Sequence, residues 1–461
     1  MTKLLIFLMG LSISSLPAHA ASNEKVQIIN QGTAGFQKRF EMIARAQNSI
    51  DVEYFIYKED EAGRLFTQAL VKRKHEKPSL AIRILYDASI MVKNIGKDVI
   101  TLLKNEGIEV KDYNHTSLFH FKQAQFRDHR KLIVIDGKEA ITGSRNIADE
   151  YFDLSPKFNF RDRDIWVEGA IVKEMEDSFN TYWESGLTET PKEVREPKLK
   201  AVDFLTENEE DLHFRSEIAR VGQIELNDPN SMGSCEKLTY VTDLAGKQTP
   251  ETRKVVKQIY ERLHEVKGDD KLYVESPYFI IRDVAAKSEM VMLRDKLVSA
   301  VLLTNSLASS DALYVAANFN PKVSYYKRFH DTTMYVYSGD APKNGSSSVL
   351  DMDGEPLTEN ANWGIHAKSF VFSDSAFAVG TFNLDPRSAN LNSEMMMFCE
   401  GSPGLTQYVK GDMLSRIDQS DLLGENGHKA DGTSIFEGIG FVKRLKYLLA
   451  VYPSGWFSYL L

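Results

Sequence analysis

The feature that most constrains this chain is a pattern that occurs twice. The stretch "FRDHRKLIVIDGKEAITGSRN" begins at residue 126, and "GIHAKSFVFSDSAFAVGTFN" begins at residue 364. Each contains His-x-Lys, then a short apolar run, then Gly, a hydroxyl residue and x-Asn. Because a doubled pattern of this length is best explained by internal duplication, we expect two similar halves.

Segments around the repeat recur in the same order. "DVEYFIY" corresponds to "LYVESPYFI", and "AIRILYD" corresponds to "AVLLTNS". In both halves, apolar runs of strand length alternate with stretches of helical periodicity. This strand-helix-strand order predicts an α/β fold in each half.

Composition limits the class of protein and its partners. The chain has 461 residues, of which 43% are hydrophobic and 26% charged, as in a soluble protein of two ordinary domains. Its net charge of −9 disfavours broad attraction to nucleic acid, so we expect no nucleic-acid partner. Two cysteines, Cys235 and Cys399, are too few to define a disulfide framework, and their pairing is left open.

The N-terminus "MTKLLIFLMGLSISSLPAHA" predicts a secretory signal peptide. Lys3 precedes an apolar run that is diluted by serine and glycine, and Ala18-His19-Ala20 fits a cleavage site. We expect export to the periplasm or beyond. The predicted division is a signal peptide (1–20), an N-terminal lobe (21–190), a linker and insertion (191–245), a C-terminal lobe (246–435) and an amphipathic tail (436–461).

The two His-Lys pairs are the candidate catalytic groups. Side chains two apart on a strand share a face, so His129 and Lys131 act together, as do His366 and Lys368. An imidazole exchanges protons near neutrality, and an ammonium group stabilises a phosphoryl anion. The chain therefore carries a nucleophile, a proton donor and two cations, and the chemistry requires neither a metal nor a cofactor.

The end of each apolar run carries a residue with a predicted structural role. Asp136 lies an odd number of positions from His129, in the turn signal "IDGKE". The second copy has Ser373 at this position. Serine forms the same side-chain to backbone hydrogen bonds more weakly, so we expect the substitution to be tolerated.

The Gly-hydroxyl-x-Asn ends of the two copies are predicted to bind phosphate. Hydroxyl and amide groups donate to an oxyanion, and glycine lets the backbone approach it. The predicted phosphate-binding residues are Ser144, Asn146, Thr381 and Asn383.

The doubled His-x-Lys-x4-Asp-x6-Gly-Ser-x-Asn pattern resembles the phospholipase D superfamily. "GSRNIADEYF" and "GTFNLDPRSANLNSEM" are similar to bacterial cardiolipin synthases of the C type. The resemblance implies two α/β sandwich lobes related by a pseudo-twofold axis, with both motifs at their interface. It also implies His129 as the nucleophile and His366 as the acid/base.

A carboxylate is expected to orient each imidazole. In the second half the match is Glu394 in "LNSE". In the first half "FRDRDIW" offers Asp162 and Asp164, and the sequence leaves that choice open.

The tail "FVKRLKYLLAVYPSGWFSYLL" places apolar side chains at helical spacing among Lys and Arg. This pattern is typical of a helix at a membrane surface, and also of an amphipathic helix docked on its own protein. We expect a phospholipid substrate, a membrane surface as partner and a monomeric enzyme. Phosphatidyl transfer and headgroup hydrolysis stay open, as do an exported nuclease and a non-enzymatic binding module.

Overall fold

The computed structural model describes residues 24–89, 92–115, 123–282, 284–329, 332–342, 348–425 and 427–460. The predicted signal peptide lies outside the described residues. The strands are β1 (Lys25–Ile29), β2 (Ser49–Tyr54), β3 (Ala81–Asp87), β4 (Glu109–Tyr113), β5 (Lys131–Ile135), β6 (Glu139–Gly143), β7 (Phe158–Arg161), β8 (Asp164–Glu168), β9 (Thr188–Glu189), β10 (Met232–Gly233), β11 (Lys237–Thr242), β12 (Lys271–Glu275), β13 (Ser299–Asn305), β14 (Thr332–Tyr337), β15 (Asn362–Ile365), β16 (Ser369–Ser373), β17 (Ala376–Gly380), β18 (Met395–Glu400) and β19 (Ser420–Leu422).

The helices follow the strands in both halves of the chain. They are α1 (Gly32–Arg45), α2 (Glu61–Glu76), α3 (Lys97–Asn105), α4 (Ile171–Trp183), α5 (Val202–Leu205), α6 (Glu209–Leu226), α7 (Lys254–Glu265), α8 (Val284–Asp295), α9 (Leu313–Phe319), α10 (Val323–Phe329), α11 (Pro386–Asn390), α12 (Pro403–Ile417) and α13 (Phe441–Trp456). In the part of the chain that the structure describes, no helix combines the length and apolar character needed to cross a bilayer.

The two large sheets have the same topology. The first runs β10-β1-β8-β6-β5-β2-β3-β4-β9, and the second runs β11-β18-β17-β16-β12-β13-β14-β19. Apart from β10, the strands correspond one to one. In each sheet the three central strands of the βαβ units pair in parallel and their neighbours pair antiparallel. The prediction of two similar α/β lobes is confirmed.

Helices cover both faces of each sheet. The inner faces pack against α4 and α12, each of which contacts strands of both sheets. Val134, Phe179, Met397 and Val409 belong to this shared core, and all are fully buried. The outer faces are covered by α1, α2 and α3 on the first sheet and by α7, α8 and α10 on the second. The shared core holds the two lobes in contact, which allows one site to draw on both.

The interval 191–245, predicted as a linker and insertion, carries ordered structure. Its helix α6 packs against α1, and β10 pairs with β1 at the edge of the first sheet. Asn208 and Asp211 cap α6 reciprocally through each other's backbone N–H groups. β11 is the edge strand of the second sheet. The segment therefore contributes an element to each lobe.

The two cysteines form a disulfide. Cys235, just before β11, is bonded to Cys399 in β18, the strand with which β11 pairs. The bridge closes a separation of 164 residues. It fastens the edge strand of the second sheet to its neighbour.

Candidate active site

His129 lies just before β5 and is held by the other lobe. Its backbone N–H donates to the carbonyl of Ser393 at 3.0 Å, and its Nδ1 lies 2.9 Å from Oε2 of Glu394. The hydroxyl of Thr381 and the amide of Asn392 also donate to this carboxylate. Because a carboxylate accepts hydrogen bonds, Nδ1 carries the proton and Nε2 is left for a ligand.

His366 follows β15 and shows the mirror arrangement. Its backbone N–H donates to the carbonyl of Arg161 at 2.9 Å, and its Nδ1 donates to Oδ2 of Asp162 at 2.8 Å. Each imidazole is thus oriented by a carboxylate from the opposite lobe. The orientation of His129 and of His366 therefore depends on both lobes.

The alternative left open between Asp162 and Asp164 has a geometric answer. Asp162 contacts the ring of His366, whereas Asp164 is buried in ion pairs with Arg39 at 2.7 Å and Arg145 at 3.2 Å. The prediction of Asp164 as an orienting carboxylate is therefore corrected. Side chains two apart share a face only within a regular strand, and Asp162 lies before β8, which begins at Asp164, so the two carboxylates point in different directions.

Ser144 and Thr381 have a different role from the predicted phosphate binding. The hydroxyl of Ser144 donates to Asp162, and that of Thr381 donates to Glu394. A hydroxyl has one proton to donate, so neither Ser144 nor Thr381 has a proton left for a phosphate. This is a correction: the two hydroxyls support the carboxylates that hold the histidines.

The two lysines are buried beside their own histidines. Nζ of Lys131 donates to the carbonyl of His129 at 2.6 Å, and Nζ of Lys368 donates to the carbonyl of His366 at 2.5 Å. Burial lowers the pKa of Lys131 to about 7 and that of Lys368 to about 8. Because both pKa values lie near neutrality, a bound anion stabilises the charged form of both lysines.

The lysines of both lobes influence the pKa of each histidine, so the four groups are electrostatically linked. Burial and Lys131 lower the pKa of His129 far below its usual value, and Lys368 of the other lobe adds to this. Burial and Lys368 lower the pKa of His366 to about 4, with Lys131 contributing in the same direction. Both imidazoles are thus neutral in the absence of a bound anion.

The two orienting carboxylates differ in charge state. Burial raises the pKa of Glu394 to about 7, against the opposing effect of Lys131. Burial also acts to raise the pKa of Asp162, but His366 and Lys368 outweigh it and hold the pKa below the usual range. Asp162 is therefore a firm anion that stabilises a positive charge on His366, and Glu394 supports His129 less strongly.

The two asparagines lie at corresponding positions. Asn146 accepts from the backbone N–H of Ile56 at 3.1 Å and interacts with the hydroxyl of Tyr151. Asn383 donates through its backbone to Ser388, while its buried side-chain oxygen has no hydrogen-bond partner among the described residues. Among the described residues, the side-chain oxygen of Asn146 thus accepts a hydrogen bond and that of Asn383 does not.

Asp136 and Ser373 both lie at hairpin turns, but they bond differently. Asp136 has a φ of 56° after β5, and its carboxylate accepts from the backbone N–H groups of Gln47, Asn48 and Ser49. Ser373 accepts from the backbone N–H of Ser375 in its own turn, at 3.3 Å. Asp136 thus fastens the loop before β2, and neither residue contacts an imidazole.

Aromatic rings enclose the histidines, and the sequence pattern did not single them out. The ring centroid of Phe55 lies 5.1 Å from that of His129. Tyr151 and Phe160 lie 5.1 Å and 4.9 Å from His366. These rings pack against both imidazoles.

Arg387 connects the site to the C-terminal tail. Its guanidinium donates to the carbonyl of Leu460 at 2.9 Å and to Oε1 of Gln125 at 2.7 Å. Its charge also contributes to the lowered pKa of His129. Arg387 belongs to the "NLDPRSANLNSEM" stretch, but its partners are distant in sequence and were not predicted.

Comparison with known proteins defines the class. Residues 40–183 match the family described as "Cardiolipin synthase, PLD-like domain". The fold is that of phosphatidylserine synthase from Haemophilus influenzae, with a TM-score of 0.65, 14% identity and 95% coverage of both chains. The chain is thus similar to proteins of the phospholipase D superfamily.

Within that superfamily the similarity extends to proteins named cardiolipin synthase. The chain is 26% identical to cardiolipin synthase C of Escherichia coli over 81% of this chain and 80% of that protein. It is 25% identical to the major cardiolipin synthase ClsA of Bacillus subtilis over 82% of this chain and 67% of that one.

Proposed function

We propose that this protein is a phosphatidyltransferase of the cardiolipin synthase type, acting on glycerophospholipids through a phosphohistidine. The observation that carries the proposal is the exchange of carboxylates between lobes: Glu394 orients His129, and Asp162 orients His366. We propose that the Nε2 atoms of both rings face one site that also contains Lys131 and Lys368. The similarity to cardiolipin synthases supports the lipid as substrate.

In the first half-reaction, Nε2 of His129 attacks the phosphorus of a phospholipid. The bond from phosphorus to the headgroup oxygen breaks, and that oxygen takes a proton from Nε2 of His366. The ionised Asp162 favours the protonated form of His366, which suits it to the acid role. Burial and the nearby cations lower the pKa of His129 and keep its imidazole neutral, which suits it to the role of nucleophile.

In the second half-reaction, the hydroxyl group of an acceptor gives its proton to His366 and attacks the phosphorus. The N–P bond breaks and His129 is restored. When the acceptor is the headgroup hydroxyl of a phosphatidylglycerol molecule, the product is cardiolipin. Lys131 and Lys368 stabilise the phosphoryl oxygens in both steps, and the amides of Asn146 and Asn383 are proposed to assist.

Transfer is favoured over hydrolysis by the exclusion of water. His129 and His366 are 7% and 5% exposed, and aromatic rings pack against both. An intermediate enclosed in this way survives long enough for a lipid hydroxyl to reach it.

The tail supports action at a membrane surface. α13 docks on the protein through Tyr447 and Ala450, which pack against α9, and Lys443 donates to the carbonyl of Ala308. Its other side leaves large apolar side chains exposed: Phe441, Val442, Leu445, Leu448, Leu449, Tyr452 and Trp456, followed by Phe457 and Tyr459. The helix therefore docks on its own protein and also presents an apolar face to the outside. We propose that this face enters the lipid surface.

Export is proposed on two grounds. The N-terminal 20 residues have the pattern of a signal peptide, and the bond between Cys235 and Cys399 is typical of proteins from oxidising compartments. We propose a periplasmic or secreted protein that associates peripherally with a membrane.

The two remaining alternatives are less well supported. The net charge of −9 disfavours a nuclease. Ser373, which replaces the aspartate of the first copy, ends β16 and hydrogen-bonds within the following turn, so the substitution removes no group from His366 or Lys368 and gives no support to a non-enzymatic module.

The test is turnover of phosphatidylglycerol vesicles by purified protein, with and without ethanol, followed by mass analysis of the lipids. Cardiolipin, or phosphatidylethanol with ethanol present, is expected. Phosphatidic acid alone indicates hydrolysis. Cleavage of DNA without any change in the lipids contradicts the proposal. His129→Ala is the inactive control.

A further inference from the structure

A cavity of about 130 Å³ lies inside the second lobe, between α7, α8 and the outer face of the second sheet. Its walls are almost entirely apolar, and include Val256, Leu272, Phe279, Leu293, Phe370 and Phe382. Apolar cavities of this size do not hold ordered water, and they bind hydrocarbon. The ligand class that fits the lining is therefore an alkyl or acyl chain.

One end of the cavity adjoins the candidate active site. Leu384, Asp385 and Pro386 line it and directly follow Asn383 in the chain. The charge of Asp385 is close enough to raise the pKa of Lys368 against the effect of burial. The backbone N–H of Ile280 donates to the carbonyl of Leu384 at 2.8 Å, which fixes this end against the segment that follows β12.

The same end lies under the C-terminal tail. Arg282 lines the cavity and is exposed, and its Nη1 donates to the hydroxyl of Ser458 at 2.5 Å. Next to Pro386, Arg387 contacts the carbonyl of Leu460. The end of the C-terminal tail therefore lies beside the end of the cavity that adjoins the candidate active site.

We propose that this cavity receives one acyl chain of the phospholipid whose phosphate is bound between His129 and His366. The inference rests on the proposed function. A lipid entering from beneath the tail meets the apolar opening at Leu384 to Pro386 while its phosphate reaches Lys368. The cavity then sets the depth at which the phosphodiester is held, so that substrates with a long chain are positioned better than those without one.

The test fills the cavity from two sides. Ala286→Phe on α8 and Ala389→Phe on α11 each place a ring in the cavity, and Ser288→Phe places the same ring on the exposed side of α8. Each variant is assayed on vesicles of dioleoyl phosphatidylglycerol and on bis(4-nitrophenyl) phosphate, which has no acyl chain. We expect both filling variants to lose at least about tenfold in kcat/KM on the lipid and to stay within about twofold on the chain-free ester. Ser288→Phe is expected to match the unaltered protein on both.

A binding measurement separates this inference from the proposed function. In a His366→Ala background, the protein is titrated with a phosphatidylglycerol that carries a pyrene at the end of one chain. Ala286→Phe and Ala389→Phe are expected to weaken binding at least about tenfold, and Ser288→Phe is not. Unchanged binding in both filling variants overturns the cavity as an acyl site. Turnover of neither substrate by the unaltered protein, with binding intact and sensitive to filling, refutes the proposed function alone.

Discussion

The Nδ1 of His366 in the second lobe donates to the carboxylate of Asp162 in the first, at 2.8 Å. The reciprocal bond joins His129 of the first lobe to Glu394 of the second, at 2.9 Å. The duplicated halves have therefore exchanged their orienting carboxylates. Each imidazole depends on the packing of the two lobes for its tautomer and its direction.

Replacing Asp162 by asparagine tests this dependence. Asp162→Asn removes the anion that stabilises a protonated His366, so kcat on phosphatidylglycerol is expected to fall about a hundredfold with little change in KM. On a phosphodiester with a 4-nitrophenol leaving group the loss is expected to be smaller, because that group needs no proton. Asp374→Asn, at an exposed carboxylate in the turn after β16, is the matched control. Equal losses on both substrates contradict the acid role of His366.

The pH profile follows from the shifted pKa values. The pKa of Glu394 is raised to about 7, so this carboxyl group loses its proton as the pH rises through 7. The carboxylate that forms then holds His129 more firmly. The pKa values of Lys131 and Lys368 are lowered to about 7 and about 8, so their charges are lost over the same range and just above it. We expect kcat/KM to have a narrow maximum between these values. Since a bound phosphate favours the charged lysines, the alkaline limb of kcat should lie higher than that of kcat/KM. Rates that stay constant from ~pH 6 to ~pH 10 do not fit this account.

The turn residues of the two copies should differ in their effect on stability. Asp136→Ala removes one carboxylate that accepts three backbone hydrogen bonds, and is expected to lower the free energy of unfolding by about 2 kcal/mol. Ser373→Ala removes one long hydrogen bond within its own turn, and should cost under about 0.5 kcal/mol. Urea unfolding measures both. A Ser373→Ala variant as unstable as Asp136→Ala would show that the two turns carry equal roles.

The exposed face of α13 should control binding to lipid. Leu449→Ser with Trp456→Ser removes two side chains that are 68% and 83% exposed, and leaves the docking residues Tyr447 and Ala450 in place. We expect sedimentation with phosphatidylglycerol vesicles to fall at least about tenfold. Leu297→Ser removes a leucine that is 83% exposed elsewhere on the surface and serves as control. Equal sedimentation of all three proteins rules out this face as the lipid contact.

Much of the fold follows from the sequence because duplication doubles a weak signal. Neither "HRKLIVID" nor "HAKSFVFS" alone specifies a site, but their common order and spacing predicted two α/β lobes. The interval 191–245 was harder, because its short strands β10 and β11 gain stability only from partners far along the chain. The reciprocal caps of Asn208 and Asp211 at the start of α6 were not predicted.

The details of the site depended on contacts that spacing does not encode. Ser144 and Thr381 suit a phosphate as well as they suit a carboxylate, and only the packed lobes put Asp162 and Glu394 within their reach. The sequence does not distinguish Asp164 from Asp162, because Arg39 and Arg145 enclose Asp164 only in the folded lobe.

The most direct measurement is a single-turnover experiment on a phosphatidyl 4-nitrophenyl ester. With His366→Ala, the good leaving group departs without an acid, but no base remains to activate the acceptor hydroxyl. We expect a burst of one equivalent of nitrophenolate, and mass analysis that locates a phosphatidyl group on His129. His129→Ala should give no burst. A burst from His129→Ala, or an adduct on another residue, would contradict a site in which two histidines from opposite lobes act on one phosphorus.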